Sequence, residues 1–234
     1  MKKQFVRLAA LVMALCLLAS PALAATKFAP GSAQQAQTLA MELMRVCGYS
    51  SEYSGGRDGL VRWETPIRVY VGGKPTKADL NTLDNFLIQL SSRVPGLPNI
   101  TRVSSESSAN VKIYFVPLKQ LGNYVPGYVS GNWGMFHYNY TSWKITNAEI
   151  GIATDKTNQK SRNHLIMEEL VGALGLANDH NSYSDSILYQ PWTTTQELSE
   201  VDWMMLNMLY HKDVYPGMTW NSFYQTTYSR INRR

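Results

Sequence analysis

Cysteine is nearly absent from this chain of 234 residues, which holds two, Cys16 and Cys47. Cys16 falls in an N-terminal segment that reads as a cleaved leader, so the mature chain keeps Cys47 alone and no internal disulfide is available. Its core must be held by packing, with Cys47 itself reading as a small buried hydrophobe on a helix rather than a reactive thiol. Charge is also sparse, at 17% of residues. After Ala24 no apolar stretch approaches the roughly 20 residues that a spanning helix needs. Internal repeats and low-complexity linkers are missing too, which excludes solenoids and long flexible tethers.

What is present begins with the leader. Lys2, Lys3 and Arg7, the apolar run Leu8 to Leu18 and the exit Ala22-Leu23-Ala24 form the three regions of a secretory signal peptide. The chain is therefore expected to be exported, to the periplasm or the medium, with a mature start near Ala25 and no stable membrane span. Loss of Lys2, Lys3 and Arg7 takes the formal net charge from +5 to +2, too little to draw nucleic acid or an anionic membrane. An apolar content of 44% is that of a chain that buries a core.

Apolar residues at helical spacing predict a helix over Ser32 to Val46, stopped at Gly48. Ser50 to Gly59 reads as a loop. Ile67, Val69 and Val71 alternate as a strand, Lys77 to Arg93 carries Leu80, Leu83, Leu87 and Leu90 along a helical face, and Ala109 to Pro117 is a second strand. A strand, helix and strand in one sheet imply a right-handed parallel connection. Leu118 to Trp143 lacks a long period and reads as an irregular loop or short hairpin, whose aromatics either line a cleft or cover a sheet edge. Asn147 to Thr154 alternates again as a strand. Helices follow at Gln196 to Tyr210, with Leu198 or Ser199 at the start, and at Trp220 to Ile231. The economical division is residues 1–24 as signal peptide, 25–60 as N-terminal helix and loop, and 61–234 as a single domain.

The stretch "HLIMEELVGALGLANDH", residues 164–180, carries the chemistry. At roughly 100° per residue, His164, Glu168, Gly172 and Gly175 fall on one stripe, opposite Ile166, Met167, Leu170, Ala173 and Leu174, with Glu169 at the margin. The stripe is expected to face away from the core as the wall of a cleft, where glycines admit a close approach. His164 and Glu168 lie one turn apart, and Asp179 and His180 follow a turn that brings further donors round. Mixed nitrogen and oxygen donors of this kind suit a divalent metal such as zinc.

In order and spacing, the strand, "EELVGALGL", "ND", "SDSILY" and "LSEVDWMMLNMLY" resemble the zincin metalloproteases, whose metzincin members carry HExxHxxGxxH. Within that resemblance the chain is similar to exported bacterial proteins of unknown function, with Glu-Glu and Leu-Gly-Leu-x-Asn-Asp in place of the full signature and a "YPGM" tail at Tyr215 to Met218. The resemblance implies an α+β, zincin-like fold, a mixed sheet packed against helices. It gives Glu169 the place of the general base and Gly175 that of the turning glycine. Ile187, Leu188 and Tyr189 take the methionine turn, and Leu198, Asp202, Leu209 and Tyr210 the last helix. It also marks the departure: the first two histidine positions hold Glu168 and Gly172, and the third falls at Asn178 beside Asp179 and His180. Catalytic zinc needs three donors and an open position, and glycine donates nothing.

The sequence therefore leads to two expectations. One is a pseudoenzyme or a module binding a peptide or an envelope protein, with a peptide pairing along Ala148 to Thr154, at Ala148 and Ile150, and Trp133 and Tyr138 as anchors. The other is a divergent metal-dependent peptidase or hydrolase with Glu169 as general base and Glu168, His164, Asp179 and His180 as candidate ligands.

Overall fold

The computed structural model describes residues 32–53 and 55–231, so the leader read over Met1 to Ala24, with Cys16, lies outside the described residues. Ser32 opens the first helix, α1 (Ala33–Cys47), where its hydroxyl accepts from the Gln35 N–H at 3.2 Å and satisfies a donor the first turn leaves free. Ala36, Leu39, Ala40, Leu43 and Met44 form its buried face. Cys47 is fully buried and burial pushes its thiol up, which leaves it without thiolate reactivity.

The stretch read as a loop from Ser50 folds into a minimal hairpin of β1 (Ser50–Ser51) and β2 (Gly55–Gly56). Beyond it come β3 (Ile67–Gly73), α2 (Lys77–Arg93), β4 (Ile100–Arg102), β5 (Val111–Val116), β6 (Gly134–Thr141), β7 (Lys144–Ala153), α3 (Gln159–Ala173), α4 (Glu200–Leu209) and α5 (Trp220–Ile231). Helix α2 begins at a reciprocal box in which Thr76 accepts from the Asp79 N–H and Asp79 from the Thr76 N–H.

β3 to β7 form one mixed sheet in the order β4-β3-β5-β7-β6. β3 pairs in parallel with β4 and β5, and β5 with β7, while β6 lies antiparallel on the outer edge. The parallel connection expected through α2 is present. Val69, Ile113, Phe115, Ile150 and Ile152 join the helices and α1 in one main core. Tyr114, Val116, Leu121 and Ala153 form a smaller cluster that does not share it. No helix among the described residues is long and apolar enough to cross a membrane.

Two local readings change. The aromatic stretch before β7 is mostly irregular, but its end is a full strand, β6, closed onto β7 by Ser142 and Trp143 at φ of 50° and 66°. This two-residue turn lacks the Asn-Gly chemistry that usually announces one. Second, α3 has no exposed stripe at the expected place: His164 is 1% exposed, and Gly172 is buried with Leu165, Met167 and Leu170. Helix α4 starts where expected, with Ser199 as its cap.

Asp202 shows how the last helix is fixed. Fully buried, its carboxylate accepts from the Ser199 N–H at 2.8 Å and the Ser199 hydroxyl at 2.8 Å, from the Ser186 hydroxyl at 2.5 Å and from the Ile187 N–H at 3.0 Å. One side chain thus caps α4 and holds the Ser186–Tyr189 turn. Asp202→Ala leaves those donors unsatisfied and is expected to lower stability by about 3 kcal/mol. Urea unfolding checks this against Glu200→Ala on the exposed side of the same turn, expected to stay within about 0.5 kcal/mol of the native chain.

Candidate functional site

Helix α3 supplies the site and is anchored at its start. Asn158 caps it by accepting from the Ser161 N–H at 2.9 Å. Arg162 pairs with the fully buried Asp79 at 2.9 Å, to which Gln159 also donates at 2.6 Å. Burial would raise the Asp79 carboxyl, but the donors from Thr76, Gln159 and Arg162 outweigh it and hold it low. The start of α3 is thereby locked to the start of α2.

Further along, α3 meets the edge strand. A methyl group at Gly134 of β6 would overlap the Glu169 carboxyl, and one at Gly172 would overlap the Phe136 ring. The two glycines let strand and helix close on each other. Gly175, at φ 121°, then turns the chain so that Asp179 returns toward the helix. Asn178 donates to the Ser50 hydroxyl at 2.8 Å and the Glu52 N–H to the Ala177 carbonyl at 3.1 Å. Those bonds bring the turn between β1 and β2, with Glu52 and Tyr53, to the same place.

The result is a cavity of about 170 Å³ whose lining includes Glu52, Glu168, Glu169 and Asp179, with no Lys, Arg or His. Trp133 and Trp192 meet edge to face at 5.2 Å on its rim, and Leu188 belongs to its lining. Burial is the largest cause pushing the Glu169 carboxyl well up, followed by Glu168, Asp179 and Glu52; the Phe136 N–H opposes it. Glu168 is likewise raised by burial, then by Asp179 and Glu52. Asp179 is pushed up to about 7 by burial and by Glu52.

His164 belongs to the same helix turn without lining the cavity. Burial lowers it, and its Nδ1 lies 3.0 Å from the Thr195 carbonyl, which can only accept, so that nitrogen carries the proton. Nε2 is left as an acceptor 3.4 Å from a Glu168 oxygen, which fits a Glu168 that keeps its proton. His180 is turned elsewhere. Its Nδ1 accepts from the Ser182 N–H, its backbone pairs with Leu188 and Gln190, and burial takes it down to about 4.

These positions test the zinc reading, and the residues do not fit it. Gly172 is closed off by Phe136, His180 is outside the cavity, and His164 has given one nitrogen to Thr195. The carboxyls are near enough to raise one another, yet among the described residues no three His, Cys, Asp or Glu side chains are placed to hold one ion. The candidate ligands Glu168 and Asp179 do share the cavity with Glu169, the residue expected as general base.

Of the candidate substrate residues, Trp133 lines the cavity. Tyr138 does not; it lies in the adjoining groove, where Arg57 donates to its hydroxyl. Ala148 and Ile150 are corrected outright: both are fully buried on β7, whose two edges are taken by β5 and β6. On that side of the sheet the strand with no further strand paired to it, among the described residues, is β6. Ile187 donates its N–H to Asp202, and Tyr189 bridges to His180, so the expected turn is built on Asp202. Glu52, Tyr53 and Trp192 were missed because they come from loops without periodicity.

Residues 38–226 match the model of a family described as "Protein of unknown function (DUF2927)". No curated protein matches the chain. Among solved structures, the crystal structure of myroilysin is similar at a TM-score of 0.44 and 11% identity, over 65% of this chain and 86% of that one. A second structure of myroilysin gives 0.42 and 11%, over 65% and 96%.

Two outcomes are expected from this geometry. An unfolded aspartate loses its proton near 3.8 and folded Asp179 near 7, so between those values the folded state holds more protons. Stability from this group is complete below about pH 4 and is lost as the pH rises through about 7. Thermal melts should fall over that window, and Asp179→Asn should flatten the slope. Gly172→Ala is expected to destabilise by about 1–3 kcal/mol, with most of the loss absent when Phe136→Ala is combined with it; a double-mutant cycle in urea reads the coupling.

Proposed function

The chain belongs to the DUF2927 family of proteins of unknown function, and we propose that it is an exported, zincin-like binding module that keeps a protease-shaped cleft without the metal chemistry. Export rests on the leader pattern of Met1 to Ala24. The zincin-like reading is supported by the run from α3 through Gly175 and the Ser186–Tyr189 turn to α4, in the order of the resemblance. The observation that carries the loss of chemistry is the Phe136 ring against Gly172, which fills the space a second metal donor would need.

The ligand suited to this cleft is an extended peptide. β6 has a partner on one side only, and it leads from the carboxyl cavity at Gly134 toward the groove at Tyr138 and Tyr140. An open strand edge offers backbone hydrogen bonds to an added strand, with side-chain pockets setting preference. Trp133 stands at the cavity end as an anchor.

A second reading, a divergent hydrolase with Glu169 as general base, is favoured by one observation: Asp179, poised near 7, and three further carboxyls share a cavity. Groups titrating near the working pH serve proton transfer best. Incubation with an unbiased peptide mixture separates the two. The expected result is no cleavage, together with peptide-dependent protection of β6 amides from hydrogen exchange. Cleavage that disappears in Glu169→Gln would sink the binding reading in favour of the hydrolase.

A further inference from the structure

We propose that the carboxyl cavity is a receptor for an organic cation, an ammonium or guanidinium group carried by the bound peptide; this rests on the binding reading above and names its specificity. Three independent features of the cavity converge on that chemistry.

The first is a set of acids without a basic residue among them. Among the described residues, Glu52, Glu168, Glu169 and Asp179 line the space together with no Lys, Arg or His. Arg57 donates outside it, to Tyr138 and to the carbonyls of Gly48 and Ser50, and His164, whose Nδ1 faces the Thr195 carbonyl, meets Glu168 from outside the lining at 3.4 Å.

The second is Glu169 itself. It is 8% exposed and lines the cavity, yet among the described residues it accepts from no side chain and pairs with no cation, and the Phe136 N–H alone faces it. The buried aspartates of this protein look different. Asp79 is bonded to Thr76, Gln159 and Arg162, and Asp202 to Ser186, Ile187 and Ser199. A buried carboxyl left so bare costs stability unless it keeps a proton or meets a cation.

The third is the wall. Tyr53, Trp133, Phe136 and Trp192 border the same space, and aromatic faces attract ammonium and guanidinium groups. A metal ion gains little from such walls and needs converging donors, which the carboxyls do not provide. An alkylammonium gains from both, with its methylenes against the rings and its head among the oxygens.

Calorimetric titration of the full chain tests this with three short peptides, each amidated at its C-terminus. One is N-acetylated and carries lysine, the second is N-acetylated with norleucine in its place, and the third carries norleucine behind a free N-terminus. The lysine peptide should bind at least about tenfold more tightly than its acetylated norleucine counterpart. The free-amine peptide separates the source of the cation: tight binding assigns the pocket to an α-amine, weak binding to a side chain. Glu168→Gln combined with Asp179→Asn should erase the preference. Equal binding of the acetylated lysine and norleucine peptides, with β6 still protected, overturns the cation pocket and leaves the binding module standing. Protection by none of the three overturns the pocket and the binding module together. Stoichiometric binding of zinc or calcium alone that excludes the lysine peptide also overturns the organic-cation assignment.

Discussion

The edge strand β6 lies against α3 so closely that a single methyl group at Gly134 would strike the Glu169 carboxyl and one at Gly172 the Phe136 ring. Most of the site follows from that approach. It closes one side of the cavity and buries Glu169. It also removes the room in which a side chain at position 172 could reach a shared ion. The approach is held in place from both ends: β6 is bonded along its length to β7, and α3 is pinned through Arg162 to Asp79 at the start of α2. Neither element can retreat without breaking a sheet ladder or a buried ion pair.

The buried acids divide by how they are satisfied. Asp79 and Asp202 are surrounded by donors from several segments, and each ties a helix start to something distant in sequence. For Asp79 the donors win over burial and the carboxyl stays low; for Asp202 burial wins and the carboxyl is raised in spite of them. Both are structural, since every bond they make is internal. Glu168, Glu169 and Asp179 have few donors and line one cavity, and burial with neighbouring acids raises all three. Packing does not require three acids there, and any apolar residue would have cost less to bury. The arrangement makes sense as a surface prepared for something outside the chain.

How far the sequence reveals this depends on the residue. Helix α2 was legible from end to end, Lys77 to Arg93, because its apolar period is unbroken. Helix α5, Trp220 to Ile231, matched for the same reason. The face of α3 was misread because a helix covered on several sides has no polar period to find: β6 and β7 of the sheet pack against it, as do α2 and the Thr195 loop. β6 itself was half seen, since its hairpin turns on Ser142 and Trp143 in left-handed conformations that neither residue type advertises. Once the hairpin was hidden, β7 looked like an edge, and Ala148 and Ile150 looked available. Glu52 was out of reach altogether, because its place in the cavity depends on Asn178 and Ala177 meeting a loop far earlier in the chain.

The rhythm of the α3 stretch and its chemistry can now be separated on physical grounds. The Ser186–Tyr189 segment and the start of α4 form one unit through Asp202, and none of these bonds involves the cavity acids. Such a unit persists whatever stands at 168 and 172, because its stability is internal. The positions facing the cavity are under no such obligation. There, Phe136 against Gly172 and Glu169 against Gly134 make a pocket whose carboxyls are raised by burial and by neighbouring acids. A fixed positive charge of the right shape would satisfy those oxygens and the aromatic rim together.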